Sequence, residues 1–180
     1  VLGSHPHIPT ATVTKCPVVT LCSASKTFNL AGLQNAFVIL PDESLREKYD
    51  AFVKTVGCPS CPPVGFAAAA AAFREGAPWL NSLLDRVYDN YQTVCAEFQE
   101  RLPEAVISPL EGTYLLWIDL RNCLNPEQTK FIVQEVCGLA VDYGEWFGGD
   151  AYKGFIRLNL ATSQDNITLA TSRLLAALTE

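Results

Sequence analysis

The 180-residue sequence has no methionine, only two histidines and no concentrated run of Lys or Arg. Acidic residues outnumber basic ones, 19 to 13, and the net charge is −6. Proteins that bind nucleic acid usually carry a basic patch, so we expect no nucleic acid partner. The longest apolar stretch, VGFAAAAAAF, is far shorter than the roughly 20 residues of a membrane-spanning helix, so we expect no membrane span either.

A signal peptide and an initiator methionine are also lacking, since the chain opens with VLGSHPH. We therefore interpret the sequence as a piece of a longer chain. The cysteines are scattered and odd in number, which favours a reducing cytoplasm over a disulfide framework. They are Cys16, Cys22, Cys58, Cys61, Cys95, Cys123 and Cys137.

No metal site is predicted. Cys58 and Cys61 form a single CxxC, but a structural zinc site would need a second pair, so we interpret both as loop cysteines. His5 and His7 are spaced as two ligands on a strand could be, yet no third ligand is evident and the neighbouring prolines indicate a loop.

The pattern of apolar residues predicts an α/β segment followed by an α+β segment. Two short apolar runs, CPVVTLC and NAFVILP, are typical of strands buried on both faces. Helices are predicted for DESLREKYDAFVKTVG, capped by Asp42 or by Ser44 in a capping box with Glu47, and for FAAAAAAFREG, which Gly76 would end. A long helix starts at APWLNSLL and ends at Pro103.

The remaining sequence predicts four strands and two helices. The strands are AVIS, TYLLWIDL, LAVDY and FIRLNLA. The helices are PEQTKFIVQEVC and SQDNITLATSRLLAAL, the second with Ser163 as its N-cap, and EWFGGDAYKG is predicted to be a glycine-rich loop.

Lys26 is the first candidate for chemistry. It follows a predicted strand end, where open α/β sheets bind ligands, and Ser23 and Ser25 bring two hydroxyls that could hold a phosphate. Asn29 and the Ala31-Gly32 pair permit a tight turn. A partly desolvated amine is what Schiff-base chemistry requires. The alternative is a loop lysine whose side chain reaches solvent.

Arg157, in GFIRLNLA, is the second candidate. Strand alternation places Ile156 and Leu158 on one face and aligns Arg157 with Phe155 and Asn159 on the other. A guanidinium beside an aromatic ring and a carboxamide suits bidentate binding of a carboxylate. The alternative is a surface arginine on an edge strand.

These segments resemble a known family. SASKTFNLAGLQ resembles the lysine segment of fold-type I pyridoxal-phosphate enzymes, the class I/II aminotransferase superfamily, and GFIRLNLA resembles their carboxylate-binding segment. The separation of 131 residues, from 26 to 157, also fits. Within the superfamily, SKTFNLAGLQ, GAPWLNSLL and EGTYLLWIDLR most resemble the bacterial cystathionine β-lyase, or C–S lyase, branch.

The resemblance covers essentially the whole chain and implies its fold. Residues 1–90 would be the C-terminal part of the cofactor-binding large domain, including the cofactor lysine and the start of the linking helix. Residues 91–180 would be the small α+β C-terminal domain. The loop GCPSCPPVG would approach the cofactor of a second subunit, which implies a homodimer.

The resemblance also implies site residues. Lys26 would bind pyridoxal 5′-phosphate covalently, and Ser23 would contact the cofactor phosphate, with Ser25 a weaker candidate. Gln34 takes the place of a phosphate-binding arginine found in many aminotransferases, as it does in the lyase branch. Arg157, with Asn159 beside it, would hold the substrate carboxylate.

Two departures from the family pattern are visible. Relatives often have Pro-Gly where this sequence has Tyr143-Gly144, in a loop that the resemblance places on the substrate side. The family's N-terminal portion, which carries the acid that pairs with the cofactor ring, is also missing. We therefore expect a C-terminal fragment of an enzyme of about twice this length, weak or inactive by itself.

For the complete enzyme, the resemblance implies β-elimination from a sulfur-containing amino acid, which gives pyruvate, ammonia and a thiol. One alternative is a class I/II aminotransferase that uses the same lysine and arginine. The other is a structural unit without catalytic activity.

Overall fold

The computed structural model describes residues 5–57 and 62–179. Its helices are α1 (Glu43–Val56), α2 (Pro63–Glu75), α3 (Ala77–Arg101), α4 (Thr129–Phe131), α5 (Glu145–Gly148) and α6 (Gln164–Thr179). Its strands are β1 (Thr20–Cys22), β2 (Phe37–Ile39), β3 (Val106–Ile107), β4 (Leu115–Asp119), β5 (Asp142–Tyr143) and β6 (Phe155–Asn159). No helix within these ranges is both long and apolar enough to cross a membrane. The predicted CxxC lies outside them.

The chain divides into two compact units. The first unit runs from Pro6 to Ser82, and the second contains His5 and the chain from Leu83 onward. The division falls inside α3. The domain boundary predicted after residue 90 lies in the same helix and stays a prediction.

The first unit contains a two-stranded antiparallel sheet, in which Leu21 of β1 faces Val38 of β2. The prediction that both strands are buried on both faces is wrong, since Leu21 is 75% and Ile39 46% exposed. A two-stranded sheet has no further strands beside it, and among the described residues no layer of side chains covers these positions.

Both ends of α1 and the C-terminal end of α2 lie at residues whose chemistry explains the boundary. The Asp42 carboxylate caps α1 by accepting a hydrogen bond from the Leu45 N–H at 2.7 Å, so Asp42 is confirmed as the cap. Ser44 lies inside the helix, and the predicted capping box is wrong. Gly57 ends α1 with φ 61°, in the left-handed region that favours glycine. Gly76 ends α2, as predicted.

The second unit is built on a four-stranded antiparallel sheet with the order β3-β4-β6-β5. Its core combines inward-facing strand residues with apolar residues of α3 and α6. The most deeply buried of these include Val94, Phe98, Ile118, Ile156, Leu174 and Leu175. The predicted α+β arrangement of this part of the chain is confirmed.

Two segments of the second unit differ from their predicted conformation. PEQTKFIVQEVC is not a uniform α-helix: a 3-10 turn at Pro126–Gln128 leads into α4, which continues as a π-helix over Ile132–Val136. EWFGGDAYKG is not a simple loop, because it forms α5 and a 3-10 turn at Gly149–Tyr152. Gly149, at φ 65°, permits the abrupt change between the two turns.

The N-terminal cap of α6 agrees with the prediction. The Ser163 hydroxyl oxygen accepts a hydrogen bond from the Asn166 N–H at 3.3 Å, and the Ser163 carbonyl accepts one from Ile167. This helix buries five residues against the sheet of the second unit: Ile167, Ala170, Thr171, Leu174 and Leu175.

Candidate functional site

Lys26 lies in a compact turn directly after β1. The Phe28 N–H donates to the Ala24 carbonyl at 3.0 Å, and the Leu30 N–H donates to the Ser25 carbonyl at 2.9 Å, so the chain coils tightly around the lysine. Asn29 has φ 55°, which its short polar side chain tolerates. The tight turn is therefore confirmed. The Lys26 side chain is exposed, however, so the expected partial desolvation is not found in this chain.

The two serine hydroxyls beside Lys26 lie together. The oxygens of Ser23 and Ser25 are 2.6 Å apart, and the Ser23 hydroxyl also lies 2.7 Å from the Asn35 carbonyl. The Ser25 backbone N–H donates to the Ser23 hydroxyl oxygen at 3.0 Å. This turn brings two hydroxyls to the N-terminal side of the lysine, and the Ser25 N–H is already bonded to one of them.

Phe28 attaches the lysine turn to the helices of the first unit. Its ring meets the Phe73 ring edge-on at a centroid distance of 6.1 Å and the Trp79 ring at 5.8 Å. Gly76 lies beneath it, since a Cβ there would overlap both the Phe28 ring and the Ala72 carbonyl. The position of Lys26 therefore depends on the junction between α2 and α3.

Gln34 lies at the far end of the same loop. Its backbone adopts φ 47°, and its N–H donates to the Ala31 carbonyl at 3.1 Å. The side chain is exposed. Its predicted role towards a cofactor stays a prediction.

Arg157 lies at the centre of β6 in the second unit. Ile156 and Leu158 point into the core, with exposures of 0% and 7%, while Arg157 lies on the opposite face, as alternation predicts. Its cross-strand neighbours are Trp117 on β4 and Asp142 on β5.

Asp142 is the ion-pair partner of Arg157. Nε and Nη2 of the arginine both donate to Oδ2 of Asp142, at 3.0 and 2.5 Å. The guanidinium carbon also lies 4.4 Å from the Phe147 ring centroid and 5.8 Å from that of Trp117. A carboxylate and two ring faces thus orient the guanidinium. We did not predict Asp142 or Phe147 as partners, because pairing of β5 with β6 is not encoded in any local pattern.

Asn159 shares the Arg157 face of β6, as predicted. Its Oδ1 accepts a hydrogen bond from the Ala161 N–H at 2.9 Å, which holds the chain as it leaves the strand. The oxygen of its carboxamide is therefore in use, and its role in carboxylate binding stays a prediction.

Tyr143 does not lie on the Arg157 face. It pairs with Ile156 across the β5–β6 ladder, is 4% exposed and packs edge-on against Trp146 at 5.2 Å. Burial raises the pKa of its phenol, and within the described residues its hydroxyl has no hydrogen-bond partner. Strand alternation therefore turns the Tyr143 side chain into the core, and the placement of its loop on the substrate side stays a prediction.

His5 lies next to Glu111, with Nε2 and Oε1 3.2 Å apart. Within residues 5–57 and 62–179, no group of three or more His, Cys, Asp or Glu side chains is arranged to hold a metal ion.

Arg157 also lines a cleft of about 330 Å³. The other walls are the connection between β3 and β4, from Ser108 to Thr113, and Leu115, Leu116 and Trp117 of β4. Asp142 occupies the Nε–Nη2 edge of the guanidinium, so the edge that carries Nη1 is the one left for a second carboxylate.

Comparison with known proteins gives a consistent result. The family model described as Aminotransferase class I and II matches residues 1–174. Protein MalY of Escherichia coli K12 is 31% identical over 182 residues, which cover 99% of this chain and 46% of that protein. Cystathionine beta-lyase PatB of Bacillus subtilis 168 is 30% identical over 174 residues, covering 92% of this chain and 45% of PatB.

A solved structure agrees in fold. The PLP-bound C–S lyase from Staphylococcus hominis superposes with a TM-score of 0.86 at 27% identity, covering 98% of this chain and 46% of that one. The chain thus spans about half the length of the relatives it matches. The predicted α/β fold of the fold-type I class is confirmed, and the chain belongs to the aminotransferase class I and II family.

Proposed function

We propose that this chain is part of a pyridoxal 5′-phosphate-dependent C–S β-lyase. The enzyme would release a thiol from a sulfur-containing amino acid and leave pyruvate and ammonia. The observation that carries the proposal is the exposed amine of Lys26 in a tight turn with the hydroxyls of Ser23 and Ser25. The resemblance to PatB and to the C–S lyase of Staphylococcus hominis supports this activity over others of the family.

The lysine turn has the donor set that this cofactor requires. A primary amine binds an aldehyde covalently, and paired hydroxyls suit a phosphate group. Ser23 and Ser25 supply those hydroxyls 2.6 Å apart, and Gln34 contributes a carboxamide from the end of the loop. These residues fit the cofactor, and we assign them to it.

When bound, pyridoxal phosphate supplies an electron sink for the charge that develops at the substrate Cα. Lys26 would hold it through Nζ. Once released by the substrate amine, Nζ would take the α-proton as a general base and then protonate the departing sulfur. These roles need a nitrogen that both bonds covalently and exchanges protons, which a lysine can do and an arginine cannot.

Arg157 would hold the α-carboxylate of the substrate. Its guanidinium is oriented by Asp142 and Phe147, and the edge carrying Nη1 lies free of the Asp142 pair. Asn159, on the same strand face, would add a carboxamide donor. Holding the carboxylate fixes the rotation of the substrate about Cα and so aligns the bond to be broken.

Borohydride trapping tests the cofactor assignment. The chain is incubated with pyridoxal phosphate, reduced, digested and mapped by mass spectrometry. We expect the phosphopyridoxyl adduct on the peptide containing Lys26, and its loss in Lys26→Ala but not in the control Lys15→Ala, whose lysine is also exposed. Trapping spread equally over the lysines would contradict the assignment.

The reaction is tested on the full-length protein that contains this chain. We expect pyruvate and a free thiol from a cysteine S-conjugate in the absence of any keto acid. A strict need for a keto-acid acceptor would instead indicate an aminotransferase, the alternative that the family name favours. Absence of an adduct on Lys26 in both proteins would favour a structural role.

We also infer a homodimer in a reducing compartment such as the cytoplasm. Val64 and Phe66, both 68% exposed at the start of α2, are apolar surface that a second subunit could cover. The five cysteines that the structure describes are free thiols, which supports a reducing compartment. Analytical ultracentrifugation of the full-length protein tests the dimer, and a monomer at micromolar concentration would contradict it.

A further inference from the structure

Thr113 has a backbone conformation that threonine rarely adopts. It lies at φ 63°, in the left-handed region, where a β-branched side chain is strained. Asn29 and Gln34 also have positive φ among the described residues, but neither is β-branched. Gly112, which could adopt this conformation freely, lies one position earlier and does not have a positive φ. Other contacts must therefore maintain the strain at Thr113.

Hydrogen bonds on the C-terminal side of Thr113 hold this conformation. The Thr113 hydroxyl oxygen accepts a hydrogen bond from the Leu115 N–H at 3.1 Å. The Tyr114 carbonyl accepts one from the Leu160 N–H at 2.8 Å, which extends the pairing of β4 with β6 as far as the residue after Thr113. Thr113 therefore lies where the β3–β4 connection ends and the paired part of β4 begins.

The β3–β4 connection is fixed nearer its start as well. The Ser108 N–H donates to the Trp117 carbonyl at 3.0 Å, and Leu110 is 9% exposed and belongs to the hydrophobic core. The whole connection lines the cleft at Arg157, and Trp117 is the cross-strand neighbour of that arginine. The position of this wall relative to the guanidinium therefore depends on the conformation of Thr113 at its end.

We propose that Thr113 is a positioning residue for Arg157. Its left-handed backbone directs the β3–β4 connection along the cleft, and its hydroxyl holds the connection against β4. The inference rests on the proposed function, in which Arg157 binds a carboxylate. Threonine supplies both the acceptor for the Leu115 N–H and a restricted χ1 that keeps this acceptor in place. Glycine would adopt the same backbone without strain but would leave the wall free to move.

Three variants of Thr113 test the proposal by NMR of this chain. Thr113→Val keeps the side-chain shape but removes the acceptor. We expect the Leu115 N–H to exchange with solvent about fivefold faster, and L-alanine to bind about threefold more weakly. Thr113→Ser keeps the hydroxyl and should retain both wild-type values. Thr113→Gly relieves the strain, so it should unfold at no lower temperature than the wild type and still show both losses.

Gly112→Ala is the matched control, because no atom lies within 4 Å of its Cβ position. It should change neither the exchange of the Leu115 N–H nor the affinity for L-alanine. Wild-type affinity in Thr113→Val, with faster Leu115 exchange, would show that Thr113 only stabilises the fold and would overturn the proposal. Unchanged Leu115 exchange in Thr113→Val, or the same losses in Thr113→Ser, would overturn it too.

The Arg157 side chain separates this proposal from the proposed function. If L-alanine does not bind, or still binds to Arg157→Gln, the carboxylate role of Arg157 fails. Positioning is then measured without a ligand, on the Arg157 Nε–H, which donates to Asp142 at 3.0 Å. We expect this N–H to exchange about threefold faster in Thr113→Val, because a loosened wall exposes the guanidinium. Wild-type exchange in that variant would overturn the proposal.

Discussion

Asp142 and Arg157 are directly opposite each other on β5 and β6, and both donated hydrogen bonds end on the same oxygen, Oδ2 of Asp142. The pair is therefore part of the strand register and not a chance surface contact. The arginine side chain is 23% exposed and the carboxylate 39%, so solvent screens the pair only in part. A substrate carboxylate at Arg157 would bind beside a negative charge that is already present.

Asp142→Asn is expected to tighten carboxylate binding at Arg157 by about two- to fivefold, because the amide oxygen can still accept a hydrogen bond but no longer repels the ligand. The gain should shrink at high salt, which screens charges that are partly exposed. Titration with L-alanine at two salt concentrations measures both effects. The control is Asp150→Asn, which removes a carboxylate whose side chain is 92% exposed. Weaker carboxylate binding in Asp142→Asn would show that the Asp142 charge matters more for orienting Arg157 than for repelling the ligand.

Gly76→Ala is expected to destabilise the first unit by about 1–3 kcal/mol, because the added Cβ would overlap the Ala72 carbonyl and the Phe28 ring. Urea denaturation followed by tryptophan fluorescence measures the loss. Gly32→Ala is the matched control, since no atom lies within 4 Å of its Cβ position. Equal stability of the two variants would contradict the packing of Phe28 on Gly76.

Asp119 should make stability depend on pH in the acid range. Hydrogen bonding from Arg121 lowers the pKa of its carboxyl, whose side chain is 13% exposed. The ionised carboxylate therefore contributes fully to the free energy of unfolding above the unfolded-state pKa of about 3.9. This contribution is lost as the pH falls through the lower pKa of the folded state. Asp119→Asn should lower the free energy of unfolding by about 1–2 kcal/mol at pH 7, and by nearly nothing at a pH below the folded-state pKa of Asp119. Urea denaturation across this range measures it.

The control for Asp119 is Glu127→Gln, which removes a 70% exposed carboxylate paired with Lys153 and should change stability much less. A penalty in Asp119→Asn that persists unchanged in acid would show that the loss is not electrostatic.

Asn90→Ala is expected to destabilise the second unit by about 2–4 kcal/mol. The fully buried Asn90 donates to the carbonyls of Leu160 and Thr162, at 2.9 and 3.0 Å, and alanine would leave both without this donor. Thermal unfolding measures the loss. Asn122→Ala, which removes only an exposed 3.4 Å contact to the Glu104 carbonyl, should be nearly neutral. A neutral Asn90→Ala would indicate that water replaces the amide.

Local sequence patterns were enough to predict the helices, strands and turns that depend mainly on residues near them in the sequence. The long helix was predictable because its apolar residues recur at helical spacing between Pro78 and Pro103, and β6 because alternation alone places Arg157 opposite its two buried neighbours. The lysine turn was predictable since Asn29 tolerates a left-handed backbone.

Features that depend on distant parts of the chain were not predictable. Pairing of Asp142 with Arg157 requires β5 to lie next to β6. This adjacency follows from the order of the strands in the sheet, and no short sequence motif predicts it. The exposure of Leu21 depends on which strands surround β1, not on its own apolar run. The glycines of EWFGGDAYKG suggested a loop, yet packing of Tyr152 on Gly148 organises it into two turns.

The hydrogen bonds of Asn90 constrain how this unit can be recombined with relatives. Asn90 belongs to α3, whereas the carbonyls it binds follow β6, about seventy positions later in the chain. A chimaera that takes α3 from a parent without asparagine at this position would leave the two backbone carbonyls after β6 without their donor. Crossover points placed before Asn90 would keep the donor and both acceptors from a single parent.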